Sequence, residues 1–293
     1  MSRRTRNRNR FIDKAFRYFG ILCTVFGLLA LATFLINIFS DGIGRLSMDF
    51  MTKLPSSRPH KAGILPAWTG TLWILGLTAI IAIPIGIATG IYLEQYAKVS
   101  HNKVVKRLSN VLEINIANLA GVPSIIYGIL GLELFVRALR FEESLLAGAF
   151  TLALLILPVI IVATREAIKA VPKSIIEASY ALGATKWQTI RSQILPASSG
   201  GIVTGIILSI ARAIGETAPL IVIGALAYVP FVAKSPLDKF TVLPMQIFNW
   251  ISRPQHGFAI NAAAAIIVLL FIVFLMNGVA IYLRNRFNKK LGK

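Results

Sequence analysis

Residues 144–164 read SLLAGAFTLALLILPVIIVAT, twenty-one residues without a Lys, Arg, Asp or Glu. A bilayer core takes about 20 apolar residues as helix, so this block is long enough to span one. Working outward, five more blocks of similar character appear: 18–39, 68–93, 114–136, 200–228 and 258–283. The chain is 56% hydrophobic and 15% charged, whereas soluble domains carry about a quarter charged residues. The apolar residues come as blocks rather than stripes. Together these predict an all-α, polytopic membrane protein with six transmembrane helices.

The net charge of +19 would suggest nucleic acid in a soluble protein. Here the basic residues lie between the blocks, and no folded basic module is visible, so no nucleic-acid partner is expected. The tails 1–17 and 284–293 and the connections 94–113 and 165–199 together hold 21 Lys and Arg. The connections 40–67, 137–143 and 229–257 hold 9. This bias predicts a multi-pass membrane protein, in contact with lipid, with both termini in the cytoplasm.

The first block has a rival reading. Its basic start and the triplet Ala30-Leu31-Ala32 fit a cleavable signal. The apolar run continues past the triplet to Phe39, which favours an uncleaved helix. The lone Cys23 inside this block reads as buried packing. His60, His101 and His256 are far apart, without metal-ligand spacing.

Gly86 with Gly90, and Gly201 with Gly205, stand four apart, a spacing that lets helices pack closely. Pro84, Pro123, Pro158 and Pro219 should each kink or end a helix. Residues 240–251 (FTVLPMQIFNWI) are apolar but too short to span. They predict a helix at the outer interface, with Trp250 at the water boundary. It would either cap the bundle or form part of a docking surface.

The connection 165–199 is strongly patterned. Pro172 suits the first turn of a helix, and Gly183 suits a left-handed C-terminal cap. Thr185-Lys186-Trp187-Gln188 fits a capping box that starts a second helix, which Pro196 should stop. The prediction is a cytoplasmic helix–turn–helix over 172–196. It would be either a surface shield or a working part.

Inside the fifth block, ARAIGETAPL (211–220) carries Arg212 and Glu216. Counted from Gly200, Arg212 is about 18 Å along the helix, near mid-bilayer. Four residues apart, the two share a helix face. Arg at the bilayer centre costs about 2.5–3.5 kcal/mol on insertion scales. An i,i+4 pair returns about 0.2–0.5 kcal/mol. The pair therefore either braces the bundle or lines a wet path. On a path, Arg212 suits an oxyanion because its planar fork makes two parallel bonds.

Glu177-Ala178-Ser179, then Gly183, then Gln193-Ile194-Leu195-Pro196 resembles the EAA loop of bacterial ATP-binding-cassette (ABC) importer permeases. Ser179 and Gln193 are its departures. The resemblance implies the type I ABC importer permease fold over residues 68–283. It also implies that Glu177, Ala178, Gly183, Leu195 and Pro196 belong to a hairpin that docks on an ATPase subunit. The stretch GVPSIIYGILGLELF (121–135), together with ARAIGETAPL, looks like the permeases of the phosphate importer, of the PstA type. That resemblance implies phosphate as cargo, with Arg212 and Glu216 on its path. It further implies a PstC-type second permease, a pair of ATPase subunits and a periplasmic phosphate-binding protein.

The residues alone leave sulfate, molybdate or an ion-driven transporter open. The sequence has no G-x-x-x-x-G-K-[ST] phosphate cradle. It carries no nucleophile–base set either. The chain is thus expected to be no enzyme and to bind no cofactor directly, with ATP-Mg held by the partner ATPase.

Overall fold

The structure is a computed structural model describing residues 3–98, 102–225 and 228–290. His101 and residues 291–293 of the predicted tail lie outside the described residues. In chain order the helices are α1 (Arg3–Gly42), α2 (Met48–Thr52), α3 (Leu65–Ile91), α4 (Lys103–Leu119), α5 (Ser124–Gly131), α6 (Leu145–Lys169), α7 (Lys173–Ala181), α8 (Lys186–Thr189), α9 (Leu195–Ile214), α10 (Ala218–Ile223), α11 (Leu243–Ile251) and α12 (His256–Lys290). Wider π-helical turns follow α3 (Tyr92–Ala97), α5 (Leu132–Ala138) and α8 (Ile190–Ile194). Among the described residues, five helices are long and apolar enough to cross a membrane. A sixth is reached if the bent pair α4–α5 counts as one span.

α6, built on the block 144–164, is the most deeply buried of the candidate spans and forms the centre of the bundle. Small residues set how closely its neighbours approach. Gly86 of α3 faces the Ile160 side chain, and Gly90 faces Thr164 and the Ile161 carbonyl. On the other side, Gly201 and Gly205 of α9 meet the Cβ atoms of Ala167 and Ala163. Both glycine pairs thus pack helices within the subunit. A Cβ at Gly90 would lie 2.7 Å from Thr164, so Gly90→Leu should lower stability by about 1–3 kcal/mol. Gly76→Leu, with nothing within 4 Å on the same helix, should leave it unchanged. Thermal unfolding in detergent reads both.

Two expected spans are interrupted. The block 114–136 breaks at Gly121-Val122-Pro123, where α4 and α5 meet at 110°. Pro123 cannot donate a backbone bond, so the helix ends there. The block 200–228 is not one span either. α9 stops at Ile214, α10 is a short helix, and the described residues of the block beyond Gly224 are not helical. Gly224 closes α10 with φ +97°, a conformation that glycine adopts without a Cβ penalty. Pro84 and Pro158, by contrast, lie inside helices that continue past them.

Pro196 does not stop a helix either. The chain is helical from Lys186 to Ile214, with the π-helical turn Ile190–Ile194 separated from Pro196 by Leu195 alone. Pro falls in the first turn of α9. The wide turn reroutes the ladder where a donor is missing, so the helix continues.

Residues 240–251 do form a helix over most of their length, α11, but Trp250 does not sit at a water boundary. It is buried between Phe50 and Phe258, with ring centroids 6.0 and 6.3 Å away. Phe248 and Ile251 occupy the open face instead. The preceding connection lies across the start of α6: the Leu145 N–H donates to the Asp238 carbonyl (3.1 Å) and the Leu146 N–H to the Pro236 carbonyl (2.8 Å). This segment packs on the end of the bundle and leaves Phe248 and Ile251 open.

α1 joins the bundle by its C-terminal end. Gly42 lies against the Ala263 backbone, and Arg45 beyond it donates to Asn261 Oδ1 (2.8 Å) and the Ala62 carbonyl (2.9 Å). Residues 12–34 of α1 stand clear, so Cys23 is exposed rather than buried.

Candidate functional site

Arg212 occupies the last turn of α9. Glu216 follows in the break, whose turn is closed by the Gly215 N–H on the Arg212 carbonyl (3.2 Å) and the Glu216 N–H on the Ala213 carbonyl (3.3 Å). Pro219, in the first turn of α10, suits the restart of the helix because that position needs no donor. The pair therefore marks the end of a broken helix rather than the flank of a continuous one. Irregular backbone at membrane depth is tolerated only against protein or a water-lined cavity.

Arg212 Nε donates to Glu216 Oε1 at 3.3 Å. Its two terminal nitrogens have no hydrogen-bond partner among the described residues. The Arg212 side chain is 40% exposed and that of Glu216 16%. A pair this open stabilises a fold by about 0–1 kcal/mol, which is too little to explain two charges in an apolar segment.

The two motifs quoted from the sequence meet here. α5 packs on α10 so closely that a Cβ on Gly128 would lie 2.7 Å from Pro219 Cα. Next to Gly128, the hydroxyl of the buried Tyr127 donates to the Leu119 carbonyl at 2.8 Å, bridging the α4–α5 bend.

The hairpin forms as its caps predict. Pro172 precedes α7. Gly183 has φ +80°, and the Ala184 N–H donates to the Ser179 carbonyl (3.2 Å). Thr185 and Gln188 make both halves of the capping box. Ile168, Val171, Ile190 and Ile194 bury together and seat the hairpin on the bundle. The two departures from the motif acquire reasons. Ser179 Oγ and Thr189 Oγ1 are 2.9 Å apart and tie the arms. Gln193 is exposed and lines a cavity of about 700 Å³ beside Ser179, Leu182 and Gln188, so it is not a packing position.

Glu177, Ala178 and Gly183 lie open along the first arm and the turn, beside Leu182, which is 89% exposed. Leu195 and Pro196 are not part of that open surface. They sit half-buried in the stem, at the start of α9.

A further cluster has no signal in the sequence. Arg165, at the end of α6, is buried with a side chain only 6% exposed. It pairs with Glu113 of α4, and its Nη2 lies 3.6 Å from Glu94 Oε2 after α3. All three stand at the edges of apolar blocks, where solvated charges are common.

These features define a multi-pass helical membrane protein with an ion pair at a helix break and an exposed helical hairpin. The family model described as "binding-protein-dependent transport system inner membrane component" matches residues 82–291. The chain belongs to that family.

Among its relatives is the Mycobacterium tuberculosis "Phosphate transport system permease protein PstA 1", 37% identical over 226 residues, 76% of this chain and 70% of that protein. Another is the Haemophilus influenzae "Phosphate transport system permease protein PstA", 33% identical over 255 residues and 87% of each chain. A chain in the crystal structure of a bacterial alginate ABC transporter, in complex with alginate pentasaccharide-bound periplasmic protein, shares the fold. Its TM-score is 0.67 at 14% identity, over 93% of this chain and 94% of that one.

Proposed function

We propose that the chain is one permease subunit of an ABC importer that moves inorganic phosphate into the cell. It has no ATPase of its own and works with a PstC-type second permease, a pair of ATP-Mg-binding ATPase subunits and a periplasmic phosphate-binding protein. Its place is the bacterial plasma membrane, with both termini in the cytoplasm.

The observation that carries the reading is Arg212, whose terminal nitrogens have no hydrogen-bond partner among the described residues at a helix break. The names of the PstA relatives supply phosphate as the anion. A guanidinium fork makes two charge-assisted bonds to a tetrahedral oxyanion. Glu216, already on Nε, repels the anion and holds Arg212 when the path is empty. A path must bind weakly enough to release its cargo.

The test is reconstitution of the co-purified complex in liposomes with its binding protein. Phosphate should enter only with ATP, and sulfate and molybdate should stay outside. Uptake of sulfate in place of phosphate would assign another oxyanion. Uptake driven by an ion gradient without the ATPase would end the ABC reading.

A further inference from the structure

Arg165, Glu94 and Glu113 have no part in the transport mechanism described so far. They join the end of α6, the π-helical turn after α3, and α4. An exposed charge at a helix end needs no partner, but Arg165 is buried, and a buried charge persists only when paired. The pairing is incomplete: Arg165 Nε and Glu94 Oε2 are buried without a hydrogen bond among the described residues. A half-satisfied buried network is poor as simple glue, since apolar packing stabilises more.

The location supplies another use. α6 leads from Arg165 through Ile168 and Val171, two of the residues that seat the hairpin, into α7. α4 leads from Glu113 to Leu119, whose carbonyl receives the Tyr127 hydroxyl across the bend. α5 then packs on α10, just beyond Arg212 and Glu216. The ion pair of Arg165 with Glu113 is thus a polar tie between the stem of the hairpin and the bent segment beside the ion pair of the path.

We propose that Arg165 is a positioning residue that locks α4 to α6 through Glu113, so that movement of the hairpin reaches the α4–α5 bend and the Arg212 site. Glu94 holds Arg165 in place while Glu113 takes the load. The inference rests on the transport reading above.

Glu113→Gln is the sharper variant, because Glu113 is 40% exposed and its neutralisation leaves Arg165 still facing Glu94. In liposomes holding the whole complex, ATP hydrolysis should stay near wild type. Phosphate carried per ATP should fall roughly fivefold to tenfold, a coupling change of about 1–1.4 kcal/mol at 1.4 kcal/mol per decade. Glu113→Asp should retain the ratio. A wild-type ratio in Glu113→Gln would overturn the linkage, as would hydrolysis and uptake falling by one common factor.

A second measurement needs no transport. With Cys23→Ser removing the native thiol, spin labels at the exposed Val111 and Ser174 report the distance from α4 to the hairpin. It should be narrowly distributed in wild type and broadened in Glu113→Gln. Equal widths would overturn the proposal. No phosphate uptake by the wild-type complex would instead overturn the functional reading, and the label distances would still judge the tie.

Discussion

Arg212→Gln is expected to abolish phosphate uptake while the chain inserts and assembles in wild-type amounts. The two effects separate because the residue does little for the fold. Its side chain is open, and its one described ion pair, to Glu216 at 3.3 Å, falls in the class worth about 0–1 kcal/mol. Transport loses more. Each hydrogen bond from a charged donor contributes about 1.5–3 kcal/mol. Removing a two-bond fork therefore weakens anion capture by more than about a hundredfold, at 1.4 kcal/mol per decade.

Arg212→Lys keeps the charge but offers a point donor rather than a planar fork. It should fall between wild type and Gln. Uptake of labelled phosphate by a strain carrying only the variant chain measures the loss, and the amount in purified membranes controls for insertion. Near-normal uptake by Arg212→Gln would remove Arg212 from the path and return the pair to a bracing role.

Composition was sufficient for the spans that stay whole. Blocks such as 68–93 and 144–164 lack charges until their ends, and nothing but an unbroken helix satisfies their backbone in lipid. The turn of the hairpin was legible because Gly183 and the Thr185 box act within a few residues of themselves. The break at Pro123 was legible for the same reason.

The break after Ile214 was signalled only by Pro219, the one proline in the block 200–228. It stands five residues past Ile214 and the residues around it remain apolar, so hydropathy runs through the point where the helix stops. Pro196 misled in the other direction, since a π-helical turn absorbs its missing donor. Trp250 is buried by Phe50 and Phe258, contacts that no local pattern encodes. Arg165 was illegible for a related reason: that it meets Glu94 and Glu113, 71 and 52 positions back, depends on how the helices assemble.

Gly183→Pro should leave the chain in the membrane and uncouple it from its ATPase. Gly183 holds φ +80°, whereas proline is fixed near −65°, so the turn between α7 and α8 cannot form. The substitution also deletes the Gly183 N–H bond to the Tyr180 carbonyl (2.9 Å). Damage should stay local. Ile168, Val171, Ile190 and Ile194 still anchor the two stems, and a Cβ at 183 meets nothing within 4 Å.

Gly183→Ala separates shape from strain. It retains the N–H and has open space, so its cost is the left-handed backbone alone, about 1–2 kcal/mol. Ala should therefore transport at reduced rate, while Pro should lose both uptake and co-purification of the ATPase. Glu177→Gln, on the exposed first arm, should weaken docking without disturbing the turn. If Gly183→Pro membranes import phosphate normally, the hairpin is a shield and ATPase force enters the bundle elsewhere. If the Pro variant fails and the Ala variant works, the open surface from Glu177 to Leu182 is what the ATPase grips, and the left-handed glycine is what presents it.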